Sequence, residues 1–322
     1  MNRINPALFS AAFTAGVRAT WPERPDLVAI DGKTSRRSFD RADGNAPLHL
    51  VSAFATTQRL VLGQEAVEGK TNELSAIPVL IERLGQGGGL KGALVSIDAI
   101  ATNARIAGAI KDAGADYLLA VKANQPTLRN EVESLFVEAD QPGLDPRPDH
   151  DLDNDKGHGR IERRAVSVVA DVDWLNGNRR FPGELRLPDA RTVIRVRSRA
   201  ELADRSRFET RYYISSAALT ARQAAEAIRG HWRIENQLHW VLDVTYTDDQ
   251  SRLRKGHGAR NMAVIRHFAI NLVANAPEPL RPAPLKPQRK ATKPRRTSIK
   301  LRRKIAAWNP EYLSTQLTAK PC

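Results

Sequence analysis

Short apolar runs alternate with longer amphipathic stretches along the part of the chain that ends near Asp140. The first three runs are Asp26–Asp31, Leu48–Ala55 and Leu60–Val67, and they carry β-branched and aromatic residues between polar, turn-forming segments. This pattern is typical of strands that follow one another in a meander. We therefore predict a three-stranded meander at the start of the fold.

Two further apolar runs, Gly92–Ile100 and Asp116–Gln125, are apolar on both sides, as expected of strands that are buried on both faces. Segments with helical periodicity precede, separate and follow these runs. The predicted helices span Asn72–Gly85, Asn103–Gly114 and Pro126–Ala139. Strands that alternate with helices become parallel neighbours, so we predict an α/β fold with a mixed sheet flanked by helices.

The composition changes after residue 140. Charge, glycine, proline and asparagine increase, and strand-like runs in which arginine alternates with apolar residues continue to residue 216. We interpret residues 141–216 as a β-rich insertion on the sheet. Thr220–Leu242 then has the pattern of one long helix capped by Thr220, and Ala259–Asn275 that of another.

The net positive charge of the chain favours negatively charged binding partners. The 322 residues include 50 Lys and Arg against 36 Asp and Glu, a formal net charge of +14, and 41% are hydrophobic, which is enough for a folded core. The segment from Pro277 to Lys304 holds eleven basic residues, six prolines and one acid. We expect a solvated basic arm there, and nucleic acid as the first candidate among polyanionic partners.

Cysteine usage and apolar run length bear on the compartment. The one cysteine, Cys322, cannot form a disulfide within the chain, which suits a reducing cytoplasm. No apolar run approaches the ~18 residues of a membrane span. Near the N-terminus Phe9, Phe13 and Val17 recur every four residues, which predicts an amphipathic helix in place of a signal peptide. We expect a cytoplasmic protein with no membrane partner.

Three acidic residues stand where the pattern would place apolar ones. Asp31 and Asp98 each end an apolar strand run, and the carboxyl ends of parallel strands meet at one sheet edge. Glu235 falls in the apolar sector of the long predicted helix. Like charges this close repel unless a cation joins them, and Mg²⁺ takes oxygen ligands, so a two-metal site for phosphodiester chemistry is one interpretation. A structural ion pair of Glu235 with a core arginine or with His231 is the other.

Several stretches of the chain resemble the DDE-type insertion-sequence transposases of the ISAs group, which include the H-repeat-associated proteins. They run in order from about Val28 to Asn271, with "AAWNPEYL" beyond them, and cover most of the chain. The stretches are "VAIDGKTSRRS", "LHLVSAFA", "LVLGQEAVEGKTNEL", "SIDAI", "YLLAVKANQPTL", "GHGRIERR", "RYYISS" and "HWRIENQLHWVLDVTYTDD".

This resemblance implies a ribonuclease-H-like catalytic core with a β-rich insertion before the last acid. It implies Mg²⁺-dependent cleavage of double-stranded DNA at insertion-sequence ends and strand transfer, with Mn²⁺ as a substitute ion, by a homodimer or higher oligomer in the bacterial nucleoid. The catalytic and metal-binding acids carried over by motif are Asp31 in "AIDGK", Asp98 in "SIDA" and Glu235 in "HWRIEN". The gap between Asp98 and Glu235 is the longer of the two, and it accommodates the insertion.

The resemblance also divides the chain. We expect a remnant N-terminal helix over residues 1–25, a catalytic core in two parts over 26–140 and 217–276, the insertion over 141–216, and the basic arm with a short C-terminal helix over 277–322. Family members carry a longer helical domain before the first acid. A truncated DNA-binding remnant without catalysis is therefore the alternative function, and the positive charge argues against a third, a small-molecule hydrolase.

The helix that carries the third acid departs from related insertion-sequence transposases. Those proteins place a tyrosine and an arginine before the final glutamate and a lysine after it. Here Ile228, His231 and Leu242 occupy these three positions, while Arg229 keeps an earlier arginine. The ISAs group itself uses "HW.IEN", so we interpret the departure as a trait of the group.

Basic and polar residues near the acids are candidates for contacts with DNA phosphates. For those that follow a strand, a solvated loop or a strand-end turn is the alternative. The candidate DNA-binding residues are Lys33, Arg36, Arg37, Lys122, Asn124, Gln125, His158, Arg160, Arg229, His231 and Asn236.

Two other ligand sets are possible on the same helix. His231, Glu235 and His239 recur every four residues, but the two histidines are two such steps apart, about 12 Å along a helix, which is too far for one zinc ion. Asp243 could replace Glu235 as the third acid, although its position at the helix end is easier to solvate.

Overall fold

The computed structural model describes residues 1–23, 25–40, 44, 46–67, 73–141, 148–157, 160–170, 172–176, 181, 184, 186–201, 205–279 and 296–318. The strands are β1 (Leu27–Thr34), β2 (His49–Ala55), β3 (Leu60–Val67), β4 (Leu94–Ile97), β5 (Asp116–Val121), β6 (Asp149–Gly157), β7 (Arg160–Ala170), β8 (Thr192–Glu201) and β9 (Ser206–Ser215). The helices are α1 (Pro6–Thr20), α2 (Glu73–Gly85), α3 (Ala104–Asp112), α4 (Pro126–Ala139), α5 (Ala221–His231), α6 (Trp240–Val244), α7 (Gly258–Asn275), α8 (Ile299–Trp308) and α9 (Pro310–Thr318).

These strands form one mixed sheet in the order β3-β2-β1-β4-β5-β9-β8-β7-β6. The pairs β1–β2 and β2–β3 are antiparallel, as the predicted meander requires. The pairs β1–β4 and β4–β5 are parallel, as the alternation of strands and helices predicts. β9 pairs antiparallel with β5, so the four strands within residues 141–216 extend the central sheet. The predicted α/β class with a β-rich insertion is confirmed.

Side chains alternate between the two faces of the sheet and build a core on each. On β1, Val28 and Ile30 belong to the larger core, which is closed by α2, α3 and α4. Ala29 points to the opposite face, where α1, α6 and α7 pack. The predicted N-terminal helix is confirmed as α1, whose Phe13 and Val17 are buried on this second face.

The long helix predicted for Thr220–Leu242 is interrupted. Thr220 forms the predicted cap, with Gln223 completing a capping box, but α5 ends at His231 and a π-helical turn spans Glu235–His239 before α6 begins. Glu235 is 49% exposed, so its predicted place in the core is wrong. The neighbouring Ile234 and Leu238 are fully buried, because they continue the packed side of the helix.

The predicted solvated arm is shorter than expected at its C-terminal end. Helix α8 begins at Ile299, and Arg302 within it is only 1% exposed. The Arg302 guanidinium donates to the carbonyl oxygens of Ala276 (2.6 Å) and Val273 (3.3 Å) and pairs with Glu278. Its aliphatic stem and these hydrogen bonds explain why a basic residue is buried here.

Candidate metal and nucleic-acid site

Asp31 and Asp98 are neighbours across a parallel strand pair. Ile30 of β1 is in register with Ile97 of β4, and each aspartate is the next residue along the chain. Adjacent strands lie about 4.8 Å apart, so the two backbones are close. Since successive side chains alternate between faces, Asp31 lies on the face of Ala29, opposite the core that contains Ile30 and Ile97, and Asp98 lies on that same face.

Helix α5 brings the third acid to this edge by packing closely on the sheet. Gly230 makes the close approach possible, because a Cβ atom at this position would lie 2.3 Å from Leu27 Cδ2 on β1. Ala224, Ala227 and Ile228 pack on the sheet in the same region. The chain continues along this face of the sheet, where Ile234 and Leu238 pack beside Ala29, and it places the Glu235 carboxylate next to Asp31.

Asp31, Glu235 and His239 form the tightest cluster of possible ligands at the edge. One ligand atom from each residue lies within 4.8 Å of the other two. His239 Nδ1 is 3.4 Å from Glu235 Oε2 and 3.5 Å from Asp31 Oδ2. The π-helical turn that contains both Glu235 and His239 brings them to this spacing, and such turns often occur at functional sites.

The two carboxylates of the cluster perturb one another. Burial raises the pKa of Asp31 to about 7, the charge of His239 opposes this shift, and a hydrogen bond shared with Glu235 adds to it. The hydrogen bond with His239 lowers the pKa of Glu235 to about 2. The repulsion between the two carboxylates adds to the rise at Asp31, which therefore takes up a proton more readily than Glu235. A divalent cation would relieve the same repulsion, so this donor set fits a metal site.

Asp98 has a different partner. Lys122, which follows β5, lies with Nζ 2.7 Å from Asp98 Oδ2, and although burial favours the neutral acid, this hydrogen bond holds the pKa of Asp98 below its ordinary value. Asp98 is not part of the cluster around Asp31. It lines the same cavity of about 450 Å³ as Asp31 and Glu235. The three predicted acids thus share one cavity, with Asp98 charged and paired to a lysine.

The insertion also contributes to this cavity, which the sequence analysis did not anticipate. Arg211 and Tyr213 of β9 line it, opposite the half-exposed Trp232. The Arg211 guanidinium lies 5.3 Å from the centre of the Trp232 ring and is 2.8 Å from Glu209. The sequence signal was the alternation of arginine with apolar residues in "RYYISS", which places Arg211 and Tyr213 on one face of the strand.

His231 reaches into the cavity from α5. Its Nδ1 lies 2.9 Å from Ser96 Oγ on β4, and burial lowers the pKa of His231, with the charge of Asp98 opposing the shift. Its hydrogen bond thus fixes the helix to the strand beside Asp98. The alternative of a structural ion pair between Glu235 and His231 is not what the structure has, since the partner of Glu235 is His239.

Of the three predicted DNA contacts that follow Asp31, only two have side chains exposed to solvent. Lys33 is 12% exposed and pairs with Asp243 (2.6 Å) and Asp249 (3.4 Å). Arg36 is 81% exposed and lies 3.3 Å from Asp249, and Arg37 is also exposed. The charge of Lys33 is thus already neutralised by acids, whereas both arginines reach solvent.

Asp243 does not replace Glu235. It forms a separate acidic cluster with Asp248 and Asp249, in which Lys33 and Arg266 supply the opposing charge. With Arg36 beside Asp249, three cationic side chains balance the three acids there. Among the described residues, the possible ligands nearest Asp31 are therefore Glu235 and His239.

The remaining predicted DNA contacts have mixed surroundings. The exposed Asn124 donates to the Ala99 carbonyl (3.3 Å), and Gln125 donates to the Thr102 carbonyl, so both also tie the end of β5 to the segment after β4. Arg229 pairs with Asp153 of β6. The other two positions with a described side chain are the exposed Lys122 and Asn236, and the predicted contacts His158 and the side chain of Arg160 lie outside what the structure describes.

A mixed sheet flanked by helices, with a β-rich extension, is the fold expected of the DDE class of transposases. Residues 22–272 match the family described as "Transposase DDE domain". The chain belongs to this family, which confirms the predicted resemblance and accounts for the ribonuclease-H-like arrangement of the sheet.

Individual relatives narrow the family further. The chain is 37% identical over 280 residues to the "H repeat-associated putative transposase YhhI" of Escherichia coli strain K12, covering 84% of this chain and 70% of that protein. It is equally similar to the "Putative protein YbfL" of the same strain, with the same coverage. It is 39% identical over 259 residues to the "Putative transposase YncI" of Escherichia coli O157:H7, covering 77% of this chain and 62% of that protein.

Within the described part of the chain, every helix is too short or too polar to cross a membrane.

Proposed function

We propose that this chain cleaves double-stranded DNA at the ends of an insertion sequence and joins the cleaved ends to target DNA, in a reaction that depends on divalent cations. The observation that carries the proposal is that Asp31, Asp98 and Glu235 line one cavity although long stretches of chain separate them in sequence. A fold with only a structural use for these acids would have no reason to gather them at the open end of the sheet.

Asp31, Asp98 and Glu235 are the residues that would hold the cations, with Mg²⁺ as the ion and Mn²⁺ as its substitute. When bound, such ions supply Lewis acidity toward the oxygen atoms of a phosphodiester and its nucleophile. The opposite pKa shifts of Asp31 and Glu235 support this role, because a cation would relieve the repulsion between the two carboxylates that adds to the rise at Asp31.

The surrounding residues would bind and position the DNA backbone. Lys122 holds Asp98 in its charged form and is itself exposed, so it can also donate to a phosphate oxygen. Arg129 and Arg211 line the same cavity, each paired with a glutamate, and their remaining N–H groups can donate to phosphate oxygens. We infer that Arg36 and Arg37, which are exposed beyond β1, extend this basic surface along the duplex.

The substrate we propose requires two DNA ends to be held together with a target. One cavity of about 450 Å³ accommodates one scissile phosphate and its neighbours, not two duplex ends. We therefore propose that two or more copies of the chain act together on DNA.

The test is a cleavage assay on DNA that carries the termini of the gene's own element. We expect cleavage with Mg²⁺ or Mn²⁺, none with EDTA, and losses of about 10³-fold or more in Asp31→Asn, Asp98→Asn and Glu235→Gln, since each removes a charge from the cation site. Glu226→Gln is the matched control, because Glu226 is an exposed acid of α5 that pairs with Arg222 away from the cavity. Full activity in any of the three site variants would contradict the assignment of that residue.

The same DNA distinguishes the proposal from a DNA-binding protein without catalysis. Such a protein would bind the termini with an affinity that falls steeply with salt, because basic residues displace counterions from DNA. Binding that is unaffected by EDTA, together with no cleavage under either cation, would favour this second function.

A further inference from the structure

A histidine lies at the centre of the acidic cluster, although the three-acid site of the proposed function does not include it. His239 is 6% exposed, and its Nδ1 atom faces both carboxylates, 3.4 Å from Glu235 Oε2 and 3.5 Å from Asp31 Oδ2. Burial among packed side chains fixes the ring in this orientation.

The two separations are long for hydrogen bonds of this kind. Charge-assisted bonds from a protonated ring to a carboxylate are about 2.7–2.9 Å long. By contrast, two ligand atoms that each lie about 2.1 Å from one cation are about 3.0 Å apart at a right angle and about 3.4 Å apart at the tetrahedral angle. The spacing around His239 Nδ1 is therefore wide for a hydrogen bond and leaves room for an ion shared by the three atoms.

Within the described structure, no hydrogen bond at the other ring nitrogen fixes the opposite tautomer. Nε2 of His239 is buried and has no hydrogen-bond partner among the described residues. A neutral imidazole that carries its proton on Nε2 presents the lone pair of Nδ1 to the two carboxylate oxygens, and three electron-rich atoms then face one point. A cation at that point satisfies all three.

Neither of the neighbouring histidines shares this position. His231 lines the cavity, but its Nδ1 lies 2.9 Å from Ser96 Oγ and it is not part of the cluster. His267 is buried in α7 and is not part of it either. The nitrogen ligand, if the cluster uses one, is thus a single identifiable atom.

We propose that His239 Nδ1 is a direct ligand of the cation held by Asp31 and Glu235, so that this site binds Mn²⁺ more tightly than Mg²⁺ while still accepting both ions. Imidazole nitrogen binds first-row transition ions well, whereas Mg²⁺ prefers oxygen. The proposal deepens the proposed function and rests on it only in that a divalent cation binds at Asp31 and Glu235. It assigns no role in DNA cleavage to His239 other than holding and selecting the ion.

The first experiment detects the nitrogen without any substitution. The untagged full-length chain is loaded with one equivalent of Mn²⁺, and electron spin echo envelope modulation is recorded for protein at natural isotope abundance and for protein labelled with ¹⁵N-histidine. We expect ¹⁴N modulation that is replaced by the ¹⁵N pattern on labelling. Bound Mn²⁺ without nitrogen modulation would overturn the proposal.

The second experiment identifies which histidine is responsible. His239→Asn should abolish the modulation and weaken Mn²⁺ binding by about tenfold or more, as expected for the loss of a metal contact, while Mg²⁺ binding changes much less. His231→Asn is the control and should retain the modulation. Modulation that survives in folded His239→Asn, as judged by circular dichroism and the urea midpoint, would overturn the assignment.

The outcomes also separate this inference from the proposed function. Mn²⁺ bound only through oxygen, and lost in Asp31→Asn, would refute the role of His239 and leave the acidic metal site intact. If the wild-type chain bound no Mn²⁺ at all, both the nitrogen ligand and the metal site of the proposed function would fall. If His239→Asn does not fold, the labelling experiment and the His231→Asn control still decide the question, because His231 and His239 are the only histidines of the described chain that line or border the cavity.

Discussion

The position of Glu235 depends on one close contact between α5 and β1, and this contact can be tested with a single methyl group. An alanine Cβ at position 230 would lie 2.3 Å from Leu27 Cδ2. That distance is well inside van der Waals contact, so either the Leu27 side chain rotates or α5 moves away from the sheet. Gly230 is the last interior residue before α5 ends and the turn to Glu235 begins.

Two effects of opposite sign determine how Gly230→Ala changes the free energy of unfolding. Replacing glycine by alanine within a helix stabilises a protein by about 1 kcal/mol. Forcing an extra methyl group into a packed contact costs about 1–3 kcal/mol. We therefore expect Gly230→Ala to lie between neutral and about 2 kcal/mol destabilising.

A second glycine offers a matched control. Gly108 lies inside α3 and has no heavy atom within 4 Å of a Cβ built on it, so Gly108→Ala should gain the helical contribution alone, about 1 kcal/mol. The measurement is the shift of the urea midpoint for both variants, followed by Gly230→Ala in a Leu27→Ala background. Removing the Leu27 methyl groups should turn the Gly230→Ala effect into a stabilising one.

The reasoning fails if Gly230→Ala stabilises the wild-type chain as much as Gly108→Ala does. It also fails if the Leu27→Ala background leaves the effect of Gly230→Ala unchanged, because the cost would then arise elsewhere. Cleavage activity gives a second readout, since a displaced α5 should reduce the rate in Gly230→Ala while Gly108→Ala keeps it.

Three further predictions concern buried polar groups. Asn271→Leu should lower the free energy of unfolding in urea by about 2–4 kcal/mol, because Asn271 accepts from Val61 N (2.7 Å) and donates to Val61 O (2.9 Å) on the edge strand β3. Asn275→Ala is the control and should cost much less. Arg302→Met should cost about 2–4 kcal/mol and expose α8 to proteases, because it leaves the buried carbonyl groups of Val273 and Ala276 without this donor. The exposed Lys300→Met is the control and should change little. Burial lowers the pKa of His267 to about 3, so this side chain stays neutral in the folded chain, whereas in the unfolded chain it takes up a proton below about pH 6.5. The free energy of unfolding should therefore fall by about 1.4 kcal/mol per pH unit as the pH drops below that value. His267→Gln should remove this part of the pH dependence in melts between pH 5 and 7. An unchanged pH slope in His267→Gln would show that His267 is not a buried neutral group.

Hydrophobic patterning was sufficient for the core of the fold. The meander β1–β3 and the parallel strands β4 and β5 follow from apolar runs whose lengths and separations leave few other arrangements. The pairing of β9 with β5 could not be derived in this way. Nothing in the apolar pattern of a strand specifies a partner that lies far along the chain, and arginine-rich alternation in β9 is compatible with a sheet of its own.

The positions of site residues could be predicted where strand geometry determines them, but not where they depend on contacts between side chains far apart in sequence. The parallel register of β1 and β4 places Asp31 beside Asp98, and the two apolar runs that end at these residues predicted it. The four-residue spacing of Glu235 and His239 predicted that they share a helix face, whereas the exposure of Glu235 goes with a π-helical turn that a helical wheel at 100° per residue cannot represent. The burial of Lys33 between Asp243 and Asp249 depends on acids from the opposite end of the catalytic core, which a local pattern does not connect.

The sheet joins the insertion to the acids more directly than the order of the chain suggests. Val121 at the end of β5 pairs with Tyr212 of β9. Because the two strands are antiparallel, Lys122, which follows Val121, lies across from Arg211, which precedes Tyr212. Lys122 is also the partner of Asp98, and Arg211 stacks over Trp232 at the end of α5. A shift of β9 along β5 would therefore change both the charge beside Asp98 and the position of the helix that carries Glu235. The insertion is therefore tied to the cavity by these two side chains and by the pair between Arg229 of α5 and Asp153 of β6.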